Sequence, residues 1–153
     1  MSESLTRLSG KLDYAQLNDF LAAPRLARLA TAVPVKDNPQ FFQPHNVPVW
    51  YVWDGQALWI SAFESTRKVR EVARNPYIAV LIDVDSAVNG AQAALLEGKA
   101  ELIADPAIVQ PYSRKIYTHY MGEEGVKDAA PQSWIVDPEN RILRLIPSRI
   151  YTW

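Results

Sequence analysis

The chain has 153 residues with 16 basic and 17 acidic side chains, so its net charge of -1 provides no overall field to gather nucleic acid or an anionic membrane. Hydrophobic residues make up 48% of it, enough to bury one core, and the absence of cysteine excludes disulfides, thiolate nucleophiles and thiolate metal sites. No stretch approaches the roughly 20 apolar residues of a membrane span, and the opening MSESLTRLSGKLDY lacks the apolar core of a signal peptide, so one cytoplasmic domain is expected over residues 1–153, residues 1–24 forming an N-terminal helical segment.

Between Asp13 and Ala23, Tyr14, Leu17, Phe20 and Leu21 share a face at helical spacing, with Asp13 as cap and Pro24 as stop. RLARLATAV, from Arg25 to Pro34, suits a strand, and PVKDNPQFF after it reads as a loop that brings Phe41 and Phe42 towards the next strand. His45 to Trp53 is β-branched and aromatic, and Asp54-Gly55 turns it into a hairpin with Ala57 to Ala62. Ser65-Thr66 precede a two-turn helix from Arg67 to Arg74, which Asn75-Pro76 stop. Tyr77–Val84 and Ala93–Ile103 read as core strands joined by Asp85 to Gln92. Pro106–Met121 carries Val109, Tyr112, Ile116 and Tyr120 on one helical face as a packing stripe, with Pro111 placed in the first turn of a renewed helix. Gly122–Pro131 reads as loop, and Arg141–Trp153 as a final strand broken at Pro147. Strands outnumber helices and do not alternate with them regularly, which indicates a small antiparallel barrel.

Two features carry chemistry. Ser61 to Lys68 runs from a strand end into a helix N-terminus rich in hydroxyls and cations, where free N–H groups, Thr66, Arg67 and Lys68 suit a phosphate. The same residues also suit an ordinary cap and a solvated basic face formed by Arg67, Arg70 and Arg74. In Val47-Pro48-Val49-Trp50, Pro48 leaves the strand without a donor, so this stretch lies at an edge or faces a flat ring instead of another strand. Scattered glycines exclude dinucleotide and phosphate loops, and with two histidines, His45 and His119, no metal cluster is expected.

Taken in order, RLARLAT, QPHNVPVWYVWDG, ALWISAFESTRKVREVARNPYIAVLID, LLEGKAELI and RILRLIPSRIYTW resemble the pyridoxamine 5′-phosphate oxidase-like split-barrel superfamily, which includes flavin- and deazaflavin-dependent reductases. The resemblance runs from Arg25 to Trp153 and implies a mainly β fold with short helices, a homodimeric split β-barrel, and FMN, or alternatively coenzyme F-420, in clefts between subunits. It implies that Val47, Pro48, Val49 and Trp50 run alongside the isoalloxazine ring, that Ser61 and Ala62 approach the ribityl and phosphate groups, and that Thr66, Arg67 and Lys68 bind the phosphate. It also implies that the partner subunit completes each site, with Tyr117, Tyr120 and Trp153 as candidates. Arg28-Leu29-Ala30-Thr31 stands where a true pyridoxamine 5′-phosphate oxidase carries an Arg and a Lys, and the substrate-binding C-terminal segment of that enzyme has no match, so vitamin B6 synthesis is set aside. The expected function is an FMN-binding oxidoreductase passing hydride to or from a small organic substrate. The alternatives are an F-420-dependent reductase and a non-catalytic flavin- or haem-binding carrier. The cofactor carries such chemistry, so no catalytic side chain is nominated.

Overall fold

In the computed structural model, residues 6–85 and 92–153 are described. The segment expected to connect the two core strands therefore lies largely outside the described residues, as do the first five residues of the expected N-terminal segment. The first described element is a strand absent from the sequence expectations, β1 (Arg7–Gly10), which precedes helix α1 (Tyr14–Ala22). The α1 helix starts at a capping box: Asp13 accepts from the Gln16 N–H, and Gln16 accepts from the Asp13 N–H.

Strand β2 (Ala27–Val35) turns at Lys36-Asp37 directly into β3 (Asn38–Val49), so the expected Pro34–Phe42 loop is instead the tip of a long hairpin. Prolines 34, 39 and 44 disguised it. Pro39 and Pro44 are tolerated because β3 is an edge strand with one side free of partners, and Pro34 because β2 pairs with β6 only over Ala27–Ala30 and its register with β3 slips between Pro34 and Val35. The expected strand from His45 to Trp53 is divided at Trp50, where the chain leaves β3 and enters β4 (Tyr51–Trp53). β4 pairs with β5 (Leu58–Phe63) across a turn in which Asp54 accepts from the N–H groups of Gln56 and Ala57 and from the Trp59 indole, while Gly55 takes a φ of 96°.

Helix α2 (Arg67–Arg74), strand β6 (Tyr77–Val84) and strand β7 (Gln92–Ile103) follow, as the hydrophobic patterning indicates. Helix α3 (Pro106–Gly125) runs past Pro111 without a restart, so Pro111 sits inside a helix and not in its first turn, and the helix is broken by a kink at Gly122 (φ 79°, ψ 169°), where the expected loop begins. A further helix, α4 (Ala129–Val136), occupies part of the expected Gly122–Pro131 loop, and β8 (Asn140–Leu145) and β9 (Arg149–Thr152) end the chain.

The strands hydrogen-bond in the order β3-β2-β6-β7-β8-β5-β4, antiparallel throughout. β7 divides the sheet: residues Ala94–Glu97 pair with β9 and Ala100–Ile103 with β8. Against β9 lies β1, the one parallel pair described. There Gly10 (φ 101°) leaves so little room that a Cβ would stand 1.8 Å from the Thr152 carbonyl oxygen.

Leu29, Tyr51, Ile60, Val80, Leu96, Leu143 and Ile150 come from strands across the whole order, yet they belong to one buried cluster, so the sheet curls around a common interior. Alternate residues of β5 and β8, including Trp59 and Ile142, instead face a second cluster under α3 and α4 with Val109, Ile116 and Ile135. Among the described residues, this mainly β, largely antiparallel arrangement with four helices fits a split barrel. Among the described residues, no helix is long and apolar enough to cross a membrane.

Candidate functional site

The two strand ends singled out in the sequence converge on one cavity of about 380 Å³. Pro48, Val49 and Trp50 form one wall where β3 gives way to β4, and Ser61, Ala62 and Phe63 form another at the end of β5. Lys68 enters from α2, while Tyr117 of α3 and Trp134 of α4 cover the space. Pro48 sits opposite Arg28 with its outer edge unpaired, so the edge position and the wall of a cavity are one and the same place. Val47 shares the face of β3 that carries Val49, packs against the core one step further from the strand end, and does not line the cavity. A larger, open basin of about 820 Å³ runs along α3 beside Gln110, Arg114 and Thr118, and includes none of the residues singled out for cofactor binding.

The three residues expected at a phosphate have different partners. The Thr66 hydroxyl donates to the Phe63 carbonyl at 2.6 Å, closing the turn before α2. Arg67 Nε donates to Glu71 Oε1 at 2.7 Å. Lys68 alone of the three lines the cavity, with no hydrogen bond or ion pair among the described residues. Burial pushes its ammonium pKa down, the mark of a cation that lacks compensating charge.

Glu71, which the sequence reading passed over, explains how Arg67 is engaged. It is a buried carboxylate on α2, accepting at Oε2 from the Thr31 hydroxyl of β2 (2.5 Å) and from His45 Nδ1 of β3 (2.9 Å). Burial opposes its ionisation, but donation from Thr31, Arg67 and His45 outweighs burial and holds its pKa below the ordinary value. Its i,i+4 relation to Arg67 was visible in the sequence. Its burial was not, because that depends on β2 and β3 lying beneath the helix. The contact pins α2 to the sheet and so fixes the direction from which Lys68 enters.

Aromatic residues build the remaining wall. Trp50 stacks on Tyr120 at 4.8 Å and 4°, and Tyr117 meets Trp50 and Trp134 edge-on at 6.3 and 5.6 Å. The Tyr120 hydroxyl donates to the Arg25 carbonyl (2.6 Å) and accepts from the Tyr51 N–H (3.2 Å), and burial pushes its pKa up to about 12. Tyr117 and Tyr120, two of the candidates for a partner's contribution, line this chain's own cavity and its backing. Trp153 packs beside Tyr151 and is not among the residues that line the cavity.

The pyridoxamine 5′-phosphate oxidase family model matches residues 14–153. The chain belongs to that family. Among solved structures, this pyridoxamine 5′-phosphate oxidase family member is similar to a conserved hypothetical protein from Mycobacterium tuberculosis (21% identity, TM-score 0.75, covering 94% of this chain and 85% of that one). It is also similar to an F-420 reductase (22%, TM-score 0.65, 87% and 94%) and to an FAD-binding protein from Mesorhizobium loti (17%, TM-score 0.57, 91% and 92%). At these identities the likeness establishes the fold. No curated protein matches the chain.

Proposed function

We propose that this family member is a homodimeric flavin oxidoreductase that holds FMN in the cavity between β3, β5 and α2 and exchanges hydride with a small organic substrate. The observation that carries this reading is the placing of an uncompensated Lys68 ammonium at the end of a cavity with mostly apolar and aromatic walls, which suits a planar ring with an anionic tail. When bound, a flavin supplies reversible hydride transfer, and the protein supplies the environment. Lys68 attracts the anionic group, Trp50 and Pro48 offer a flat apolar face, and Tyr117 and Trp134 exclude water. Coenzyme F-420 is the second reading, favoured by the likeness to an F-420 reductase and by its own pairing of a planar ring with an anionic tail.

The dimer reading rests on the β2–β3 hairpin. Phe41 and Phe42 are 60% and 56% exposed near its tip, and β3 presents an open edge, so a second copy of the chain would cover apolar surface there.

The test is equilibrium titration with FMN and with F-420, comparing the wild type with Lys68→Ala. Loss of a half-buried, charge-assisted contact predicts affinity weaker by about tenfold or more. Unchanged affinity in the variant would move the anion site elsewhere. Binding without reduction by a nicotinamide donor would make the protein a carrier.

A further inference from the structure

The polar side chains lining the cavity are weighted towards donors. Lys68 and the indoles of Trp50 and Trp134 donate and do not accept, and among the described residues no carboxylate lines the space. Ser61 Oγ and Tyr117 Oη lie 2.8 Å apart, so one hydroxyl hydrogen is shared between them and the other remains free, whichever way the bond runs. Neither hydroxyl has another partner among the described residues.

The pair is also held in place from both sides. Ser61 sits on β5 in register with Ile142, and its side chain falls on the face that carries Trp59, towards α3. The Tyr117 ring is wedged edge-on between Trp50 and Trp134, and the residue is only 5% exposed. Burial raises the phenol pKa, the Ser61 hydrogen bond opposes this and the charge of Asp137 adds to it, so the hydroxyl keeps its proton at neutral pH. A fixed, neutral donor facing an aromatic-walled cavity requires an acceptor from whatever fills it, because an unpaired buried donor is costly.

Resting on the cofactor reading above, we propose that the Ser61–Tyr117 hydroxyl pair donates a hydrogen bond to a carbonyl oxygen of the bound ring, so that this pair reads the ring while Lys68 reads the anionic tail. Flavin and deazaflavin rings both carry such carbonyls, so the pair accepts either. A ligand lacking a ring oxygen leaves the donor unpaired and is rejected.

The experiment compares wild type, Tyr117→Phe, Ser61→Ala and Lys68→Ala for binding of FMN and of lumiflavin, which has the ring but neither ribityl chain nor phosphate. Far-ultraviolet circular dichroism checks that each variant is folded, and Ser61→Ala serves if Tyr117→Phe is not. The expected result is a loss of about tenfold in affinity for both ligands in Tyr117→Phe and Ser61→Ala, with a displaced absorption band of the bound flavin. Lys68→Ala should weaken FMN and leave lumiflavin unchanged. If removing either hydroxyl alters neither lumiflavin affinity nor the band, or weakens FMN alone, the assignment to the ring is overturned while the cofactor reading stands. A wild-type protein that binds neither FMN nor F-420 overturns the cofactor reading, and this inference with it.

Discussion

Glu71→Gln removes one charge from the buried junction of α2, β2 and β3 and keeps the shape of the side chain. The carboxylate accepts from Thr31, His45 and Arg67, and hydrogen bonds to a charged group contribute roughly 1.5–3 kcal/mol each. Glutamine retains one carbonyl oxygen for Thr31 and His45 but turns an amide donor towards Arg67 or loses one of the other bonds. Arg67 is half exposed, so its ion pair is screened and counts for less than its 2.7 Å separation suggests. The balance is a loss of about 2–4 kcal/mol, which for a domain of this size lowers Tm by about 5–12 °C. Because the folded pKa of Glu71 lies below its ordinary value of about 4.5, its contribution is present above that value and fades as pH falls through the folded pKa. Thermal unfolding followed by circular dichroism should therefore show a wide gap between wild type and variant at pH 7 that closes in acid. A variant within about 1 °C of wild type at pH 7 would refute the view that this cluster pins α2.

Gly10→Ala places a Cβ against the Thr152 carbonyl at a backbone angle that L-residues rarely adopt, so β1 should detach from β9, destabilising the protein by about 2 kcal/mol or more. An unchanged urea midpoint would contradict the parallel pairing. Replacing Phe41 and Phe42 by serine should convert a dimer into a monomer in sedimentation velocity, with far-ultraviolet circular dichroism preserved; a variant as dimeric as wild type would move the interface away from the hairpin tip.

What the sequence made legible was local. The Asp54-Gly55 turn, the α2 helix and the apolar β6 are specified by neighbours in the chain and each lies where its pattern placed it, although the expected side-chain cap of α2 is not made: Thr66 takes the N-cap position with its hydroxyl turned back to the Phe63 carbonyl. β1 was not legible because RLSG becomes a strand only by pairing with residues about 140 positions away. The α4 helix has Pro131 in its first turn and too short an apolar stripe to announce itself. At the site, Pro48 and Lys68 were readable from local chemistry, whereas Arg67 looked equally suited and turns its Nε to Glu71, outside the cavity lining. Tyr117 lay within a stripe read as packing, and what distinguishes it is Ser61, 56 residues earlier in the chain.

The visible absorption spectrum of the protein, after separate incubation with FMN and F-420 and removal of free cofactor, tests the cofactor assignment most directly. The expected result is a retained band at about 450 nm with FMN or about 420 nm with F-420, with the band lost or much reduced in Lys68→Ala. A protein that retains neither band would contradict the assignment of this cavity to a flavin-type cofactor.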